Sequence, residues 1–296
     1  MPAEGTSGSR GQTGPGGGDL FAGSVPALYD ALLVPMIFAP YAIDLAERVQ
    51  QRSPSALLEL AAGTGAVTRA LAERLPATAS MLATDLSQPM LDRAARIGTR
   101  RPVTWQQADA MRLPFPDAAF DAVVCQFGVM FFPDRARAYR QVRRVLRPGG
   151  AFLFNTWDRI EANAFADTVE RALGELYPEA PPRFMSRTPH GYFDPRAVKD
   201  DLARAGFGDT ATIRPLAARA RADSARSVAE AYCQATPLRA DLEARGPDEL
   251  VRATDAAEAA LVRRFAGGPG AGGPALGRVE GALSALVVEV QAPGSP

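Results

Sequence analysis

Short apolar runs alternate along the chain with segments in which apolar residues recur every three or four positions. Runs of the first kind favour buried strands, and the wider spacing favours amphipathic helices. Up to residue 157, strands are predicted at 57–60, 80–86, 103–110, 120–128 and 151–157. Helices are predicted after the first, second and fourth of these strands, and an Arg-Pro-Gly-Gly turn ends the helix at 134–146. Strands that alternate with helices predict an α/β fold with a mostly parallel sheet.

The two ends of the chain follow other patterns. Residues 1–18 are rich in Gly, Ser, Thr and Pro and predict a disordered tail. Residues 19–51 have a helical pattern that Pro35 and Pro40 interrupt. The last third predicts a helix at 195–207, a strand at 210–216, a helical region at 224–265, a flexible loop at 267–273 and a final strand at 281–290. The late strands predict a C-terminal antiparallel pair with a helical insertion between them.

Residues 57–68 read Leu-Leu-Glu-Leu-Ala-Ala-Gly-Thr-Gly-Ala-Val-Thr, an apolar strand that passes through small residues into a helix. Small residues let the backbone approach a ligand closely, and the N–H groups of the new helix point beyond the strand end. The stretch therefore indicates a nucleotide-type cofactor site, although a plain strand-to-helix turn would have the same pattern. A dinucleotide fingerprint G-x-G-x-x-G would need glycine where Thr68 stands, which weakens the case for NAD.

Three successive predicted strands carry an acid, at Glu59, Asp85 and Asp109. Asp85 lies 22 positions after Gly63, and an acid at the tip of the second strand can accept both hydroxyl protons of a ribose. That spacing serves NAD as well as other cofactors that contain a ribose. The acids therefore indicate a ribose-bearing cofactor without choosing between them.

The first of these segments resembles the opening motif of the class I S-adenosylmethionine (SAM) dependent methyltransferases. Glu59, Gly63 and Gly65 match that motif, and Ala61 stands where its first glycine is usual. The resemblance continues downstream and is strongest for the small-molecule methyltransferases of ubiquinone and menaquinone biosynthesis.

Two later segments carry this resemblance. Ala-Asp-Ala at 108–110 is followed by Leu-Pro-Phe at 113–115, as in enzymes whose third-strand acid binds the adenine amino group. Gln-Phe-Gly-Val at 126–129 resembles the Ser-Phe-Gly-Leu of the quinone enzymes. Those enzymes usually continue with Arg-Asn, whereas this chain has Met-Phe at 130–131. A nucleic-acid or protein amino-methyltransferase would usually end this strand in Asp/Asn-Pro-Pro-Tyr/Phe, so that class is disfavoured.

The resemblance implies a doubly wound, mostly parallel seven-stranded sheet of the Rossmann-like methyltransferase type. We predict a disordered tail at 1–18, an N-terminal helical lid at 19–51, a SAM-binding core at 52–160 and the rest of the core at 161–296. The helical insertion at about 224–275 would then form a substrate cap.

The resemblance also implies which residues surround the cofactor and the methyl acceptor. The predicted cofactor residues are Tyr29, Glu59, Ala61, Gly63, Thr64, Gly65, Asp85, Leu86, Met90, Asp109, Ala110, Gln126 and Phe127. The predicted acceptor residues are Met36, Phe38, Met130, Phe131, Phe184, Met185 and Tyr192. For Tyr29, ordinary helix packing is an equally good interpretation, and some of the apolar acceptor residues would be core. Ser87 is predicted to cap the helix that follows Asp85.

These residues predict an SN2 transfer of the SAM methyl group to an O, N or C nucleophile of a small, largely apolar molecule. Two alternatives stay open, a SAM-binding protein that catalyses another reaction or regulates, and an NAD-dependent oxidoreductase. His190, the single histidine, lies in a Pro- and Gly-containing loop and is a candidate general base. A structural or exposed histidine is the alternative for that position.

Composition limits the partners. Acidic and basic residues balance at 33 each, which argues against nucleic acid or an anionic membrane as the main partner. No run of 18 apolar residues and no secretory leader pattern is found, so a cytoplasmic location is expected. The two cysteines, Cys125 and Cys233, are expected to be unpaired thiols, and no metal site is predicted. Acceptor identity and oligomeric state stay open.

Overall fold

The computed structural model describes residues 23, 25–265 and 277–294. Within these ranges seven strands form one sheet in the order β3-β2-β1-β4-β5-β7-β6. The strands are β1 (Ala56–Leu60), β2 (Ser80–Asp85), β3 (Thr104–Gln107), β4 (Phe120–Gln126), β5 (Leu146–Trp157), β6 (Thr212–Ala222) and β7 (Val279–Gln291). The first five strands run parallel, and β7 pairs antiparallel with both β5 and β6. The predicted seven-stranded, mostly parallel sheet is confirmed.

Helices cover both faces of this sheet. They are α1 (Val25–Leu28), α2 (Ala39–Arg52), α3 (Ala66–Arg74), α4 (Gln88–Ile97), α5 (Arg135–Val145), α6 (Ala164–Leu176), α7 (Phe184–Arg187), α8 (Pro195–Arg204), α9 (Ala225–Gln234), α10 (Leu238–Glu243) and α11 (Glu249–Phe265). Alternate residues of β1 face opposite sides: Leu57 packs with α2 and α3, whereas Leu58 belongs to the core on the other face. Burial on both faces explains why the central strands β1, β4 and β5 are predominantly apolar.

The strand order reverses between β1 and β4. From β1 the chain proceeds outward to β2 and β3, then returns to place β4 on the other side of β1, next to β5. In parallel sheets, ligands bind in the crevice beyond the carboxyl ends at such a reversal. The fold therefore places the candidate site beyond the ends of β1 and β4.

The N-terminal helical segment is continuous, contrary to the predicted interruptions at Pro35 and Pro40. Tyr29–Phe38 forms a π-helix between α1 and α2, and its wider turn lets the Ala39 N–H donate to the carbonyl of Val34. Proline lacks an N–H donor, and the π-helical register accommodates it without a break. Pro40 lies in the first turn of α2, where a missing N–H costs little.

The segment Val25–Arg52 is long and apolar enough to cross a membrane by length and composition alone. In the fold, its Leu33, Tyr41 and Leu45 are buried in the core next to the sheet, which is the position of a core helix. Cys125 in β4 and Cys233 in α9 are both buried free thiols, as expected. The predicted tail at 1–18 and loop at 267–273 lie outside the described residues.

Candidate cofactor and acceptor site

A cavity of about 390 Å³ lies beyond the carboxyl ends of β1, β2 and β4. The N-terminal segment, the residues after β3 and β5, and the helical insertion complete its wall. Such a volume is within the range of small-molecule and cofactor sites, about 300–1,000 Å³. Most of the predicted cofactor residues line this one cavity, namely Tyr29, Ala61, Gly63, Asp85, Leu86, Met90, Asp109, Ala110, Gln126 and Phe127.

Three predicted cofactor residues support the turn after β1 without lining the cavity: Glu59, Thr64 and Gly65. The Glu59 side chain is buried, and its Oε2 accepts a 2.7 Å hydrogen bond from the Thr68 hydroxyl. Burial raises the pKa of Glu59 to about 8. Thr68, which replaces the third glycine of a dinucleotide fingerprint, thus holds the acid behind the turn.

Asp85 organises the turn and faces the cavity as well. Its Oδ2 accepts the Gly63 N–H at 2.8 Å, and its Oδ1 accepts the Ser87 N–H at 2.8 Å. Burial raises the pKa of this carboxyl, and the backbone donors partly oppose that effect. Because a carboxylate oxygen can accept more than one hydrogen bond, both oxygens can also accept from ribose hydroxyls.

Two buried polar atoms on the wall have no hydrogen-bond partner within the described part of the chain, Gln126 Oε1 and Ser87 Oγ. Gln126 is held from its other end, where Nε2 donates to the carbonyl of Phe38 at 3.4 Å. An unsatisfied buried polar atom costs about 1–3 kcal/mol, so these atoms fit a polar ligand. Ser87 occupies the N-cap position of α4, but its hydroxyl makes no cap bond, contrary to the prediction.

The charged side chains of the cavity wall favour SAM over NAD as the cofactor. Asp85 and Asp109 are its charged side chains, and no Arg or Lys among the described residues lines the cavity. Asp109 is held by its Oδ1, which accepts the Met111 N–H at 2.8 Å. An acidic wall whose described residues include no Arg or Lys attracts SAM, which carries positive charge on its sulfonium and ammonium groups, and offers the pyrophosphate of NAD no cationic side chain. The residues present therefore fit SAM.

Aromatic rings form a continuous series along the side of the cavity next to β4 and β5. Phe127 stacks on Trp157 with ring centroids 3.7 Å apart, and Phe38 lies 5.6 Å from Phe127 and 6.0 Å from Trp157. Tyr29 in turn stacks on Phe38 at 5.1 Å. The lid segment and the sheet together present an aromatic wall at the end of β4, in which Phe38 is tilted by 46° against Phe127 and by 41° against Trp157.

The remaining wall, which we call the cap side, is mainly apolar. It is lined by Phe131, Phe132, Pro133, Phe184, Met185, Pro189, His190, Tyr232, Ala235, Thr236, Pro237 and Leu283. Three predicted acceptor residues do not reach this cavity. Met36 is buried in the core, Met130 lines a separate outer pocket, and the Tyr192 hydroxyl donates to Asp201 Oδ2 at 2.9 Å.

His190 lies on the cap side and is 5% exposed, so the alternative of a solvent-exposed histidine is wrong. Its Nδ1 is 2.8 Å from the carbonyl oxygen of Asp158, which can only accept a hydrogen bond. Nδ1 therefore carries the proton of the neutral ring, and Nε2 is left as an acceptor. Burial lowers the pKa of His190 to about 4, so the ring is neutral at neutral pH.

Several wall residues carry no signal in the sequence. Trp157 ends an apolar strand, while Tyr232 and Leu283 belong to a helix and a strand whose patterns indicate core. Asn163 also lines the wall, and its side-chain amide donates to backbone carbonyls while its Oδ1 accepts the Ser284 N–H at 3.1 Å. Only the tertiary packing of β5, β7 and the insertion brings these residues together.

Comparison with known proteins agrees with this geometry. Residues 58–154 match the family model described as a methyltransferase domain. The demethylmenaquinone methyltransferase of Thermus thermophilus is 35% identical over 56% of this chain and 79% of its own length. The ubiquinone/menaquinone biosynthesis C-methyltransferase UbiE of Pseudomonas aeruginosa is 29% identical over 53% of this chain and 66% of its own length.

Among solved structures, the [4+2]-cyclase SpnF is similar to this chain with a TM-score of 0.53 and 19% identity, over 94% of this chain and 96% of the other. At that identity the likeness concerns the fold alone. The family match, the Thermus relative and an acidic cavity at the strand-order reversal agree on the cofactor and the reaction type. The chain belongs to the class I SAM-dependent methyltransferases, in the family that includes the demethylmenaquinone methyltransferases.

Proposed function

We propose that this methyltransferase acts on an uncharged, flat, largely apolar molecule with a hydroxyl group, either at the hydroxyl oxygen or at a ring carbon that the hydroxyl activates. The observation that carries this proposal is the composition of the cap side. Its described residues are aromatic, aliphatic or neutral polar, so a carboxylate or phosphate on the acceptor would lack a cationic partner.

The residues on the wall have separate tasks in this proposal. When bound, SAM supplies an electrophilic methyl group that a nucleophile can take directly. Asp85 would accept from the ribose hydroxyls, Asp109 from the adenine amino group, and Gln126 Oε1 from the ammonium group. Phe127 and Trp157 would hold a flat acceptor by stacking, and the lid and cap would exclude water. Holding the acceptor in line is the main contribution of the chain to the rate.

His190 would receive the proton of the acceptor hydroxyl. Its position on the cap side and the acceptor state of Nε2 support that task. Burial keeps the ring neutral down to about pH 4, so Nε2 is unprotonated throughout the neutral range, and the same low pKa limits its strength as a base. A positioned base contributes about 10²- to 10⁴-fold to the rate of proton removal.

The relatives' names describe methylation in menaquinone and ubiquinone biosynthesis. A flat quinol therefore falls within the proposed acceptor class, alongside other neutral phenols. We further infer a cytoplasmic location, which the two buried free thiols support. We also propose that 19–51 and about 224–275 act as lid and cap.

The test is a matched acceptor panel with SAM, in which neutral phenols and a demethylated naphthoquinol are each paired with a carboxylated analogue. Mass spectrometry would follow both S-adenosylhomocysteine and the methylated product. We expect the neutral member of each pair to react at least about 100-fold faster, since the buried carboxylate would be unpaired. Preference for the carboxylated members would contradict the proposal. Conversion of an added compound without S-adenosylhomocysteine would support the alternative of a reaction other than methyl transfer.

A further inference from the structure

We propose that Asp30 is a positioning residue that holds the N-terminal lid closed over the cofactor, so that its ion pairs must break before the cofactor can leave. The inference goes beyond the acceptor proposed above and rests on one part of that proposal, the binding of SAM in the cavity. It concerns the segment Val25–Arg52 and the elements beneath it.

Asp30 joins the lid to three separate parts of the core. Its Oδ1 accepts the Thr64 hydroxyl at 3.1 Å, in the turn after β1, and lies 3.5 Å from Arg69 Nη2 of α3. Its Oδ2 accepts from Arg93 Nη2 of α4 at 3.0 Å. The Asp30 side chain is only 15% exposed, so these contacts are partly shielded from water.

The same contacts hold the turn that the cofactor must meet. Arg69 Nη1 donates to the Thr64 carbonyl at 2.6 Å, so Arg69 contacts both Thr64 and Asp30. Thr64 lies next to Gly63, which lines the cavity and faces the Tyr29 ring. The cluster of Asp30, Thr64, Arg69 and Arg93 therefore lies directly behind the glycine turn and connects it to the lid.

Tyr29 links the contacts of Asp30 to the cavity. It precedes Asp30 in the chain, belongs to the same helical turn and lines the cavity. Leu33 and Ile37 continue the cavity wall along the π-helix. Moving the lid far enough to free a ligand beneath Tyr29 would separate Asp30 from its partners, because the two residues are adjacent in one continuous helical segment. Lid opening of this kind commonly limits ligand release.

The experiment measures release of S-adenosylhomocysteine, which needs no acceptor. Radiolabelled S-adenosylhomocysteine would be bound to the full chain and chased with an excess of unlabelled ligand. Asp30→Asn removes the charge at nearly constant shape. Asp44→Asn is the matched control, because Asp44 lies on the same helical segment and pairs with Arg48 four residues away within it.

We expect Asp30→Asn to raise the dissociation rate about tenfold, which corresponds to about 1.4 kcal/mol. Asp44→Asn should stay within about twofold of wild type, and Asp30→Glu should recover most of the slow release. Added salt should speed release from the wild type more than from Asp30→Asn, because partly exposed ion pairs are screened. A purely structural role would change the melting temperature without this salt effect.

Equal dissociation rates for wild type and Asp30→Asn would overturn the inference, and so would equal effects of the two Asn variants. If Asp30→Asn fails to fold, Arg93→Gln tests the same contact from the core side and must also speed release. Wild type that binds no S-adenosylhomocysteine would instead overturn the cofactor assignment itself. Tight binding with unchanged release would overturn the role of Asp30 alone.

Discussion

Replacement of His190 tests whether a neutral imidazole is buried in the wall. Burial lowers its pKa from 6.5 to about 4. Between these values the unfolded chain binds the proton and the folded chain does not. The stability that comes from burying the neutral ring is therefore fully present above about pH 6.5 and is lost as the pH falls towards 4.

The size of this effect follows from the two pKa values. Between pH 7.5 and pH 4.5, a histidine with pKa 6.5 unfolded and about 4 folded removes about 2–3 kcal/mol from the free energy of unfolding. Other buried acids also titrate. The pKa of Glu59 is raised to about 8, so the contribution of its buried neutral form to the free energy of unfolding is lost as the pH rises, which is the opposite direction. The difference between wild type and a His190 variant cancels such contributions, because they are common to both proteins.

The assay is urea unfolding followed by tryptophan fluorescence at both pH values. His190→Gln keeps an amide donor for the Asp158 carbonyl, and His190→Phe keeps a ring, but neither side chain titrates. We expect both variants to lose about 2–3 kcal/mol less than wild type on acidification. A wild type that loses no more than either variant would show that the imidazole titrates normally, which would refute the inferred burial.

Two further substitutions test the role of Asp85 in SAM binding and the close packing of Gly128 beside the cavity. Asp85→Asn should weaken SAM binding at least about tenfold by calorimetry, because hydrogen bonds to a charged group contribute about 1.5–3 kcal/mol each, and unchanged affinity would remove the ribose assignment. Gly128→Ala should destabilise the fold by about 1–3 kcal/mol, because its Cβ would clash with the Ala61 side chain and lie 2.7 Å from Cys125 Sγ. Gly174→Ala is the control, since its Cβ would meet no described atom within 4 Å, and equal melting temperatures for the two variants would contradict the argument.

The sheet and most of the cofactor side of the cavity could be predicted because the relevant signals are local. The central strands β1 and β4 are mostly buried and apolar, Asp85 ends β2, and Asp109 lies two residues beyond β3. Parallel strands all end at one edge of the sheet, so residues that follow them must meet. Pattern and topology together were enough to gather these side chains into one cavity.

The cap side could not be predicted in the same way. Trp157 and Tyr232 have the spacing of core residues, and their contact with the cavity depends on how the insertion docks. The burial of His190 depends equally on tertiary packing, since a loop with Pro and Gly predicts exposure. The π-helix at Tyr29–Phe38 also escaped prediction, because a proline within a helical pattern ordinarily indicates a break.

Ala61, which departs from the methyltransferase motif, has a strained backbone conformation at the site. The resembled motif usually has glycine there, and the alanine adopts φ = 51°, in the left-handed region that glycine occupies freely. Phe127, across the strand-order reversal at the end of β4, adopts φ = 50°. Such residues cost about 1–3 kcal/mol each and persist only where neighbours enforce them. Asn155 enforces the backbone conformation of Phe127, because the Phe127 N–H donates to the side-chain oxygen of Asn155 at 3.0 Å. Gly128 packs closely against Ala61 and so brings the two strained positions into contact. The strained residues therefore lie at the ends of β1 and β4, where the glycine turn and the aromatic rings face the same ligand. Methyl transfer needs a rigid binding site at this place, because the reacting groups must be held in line.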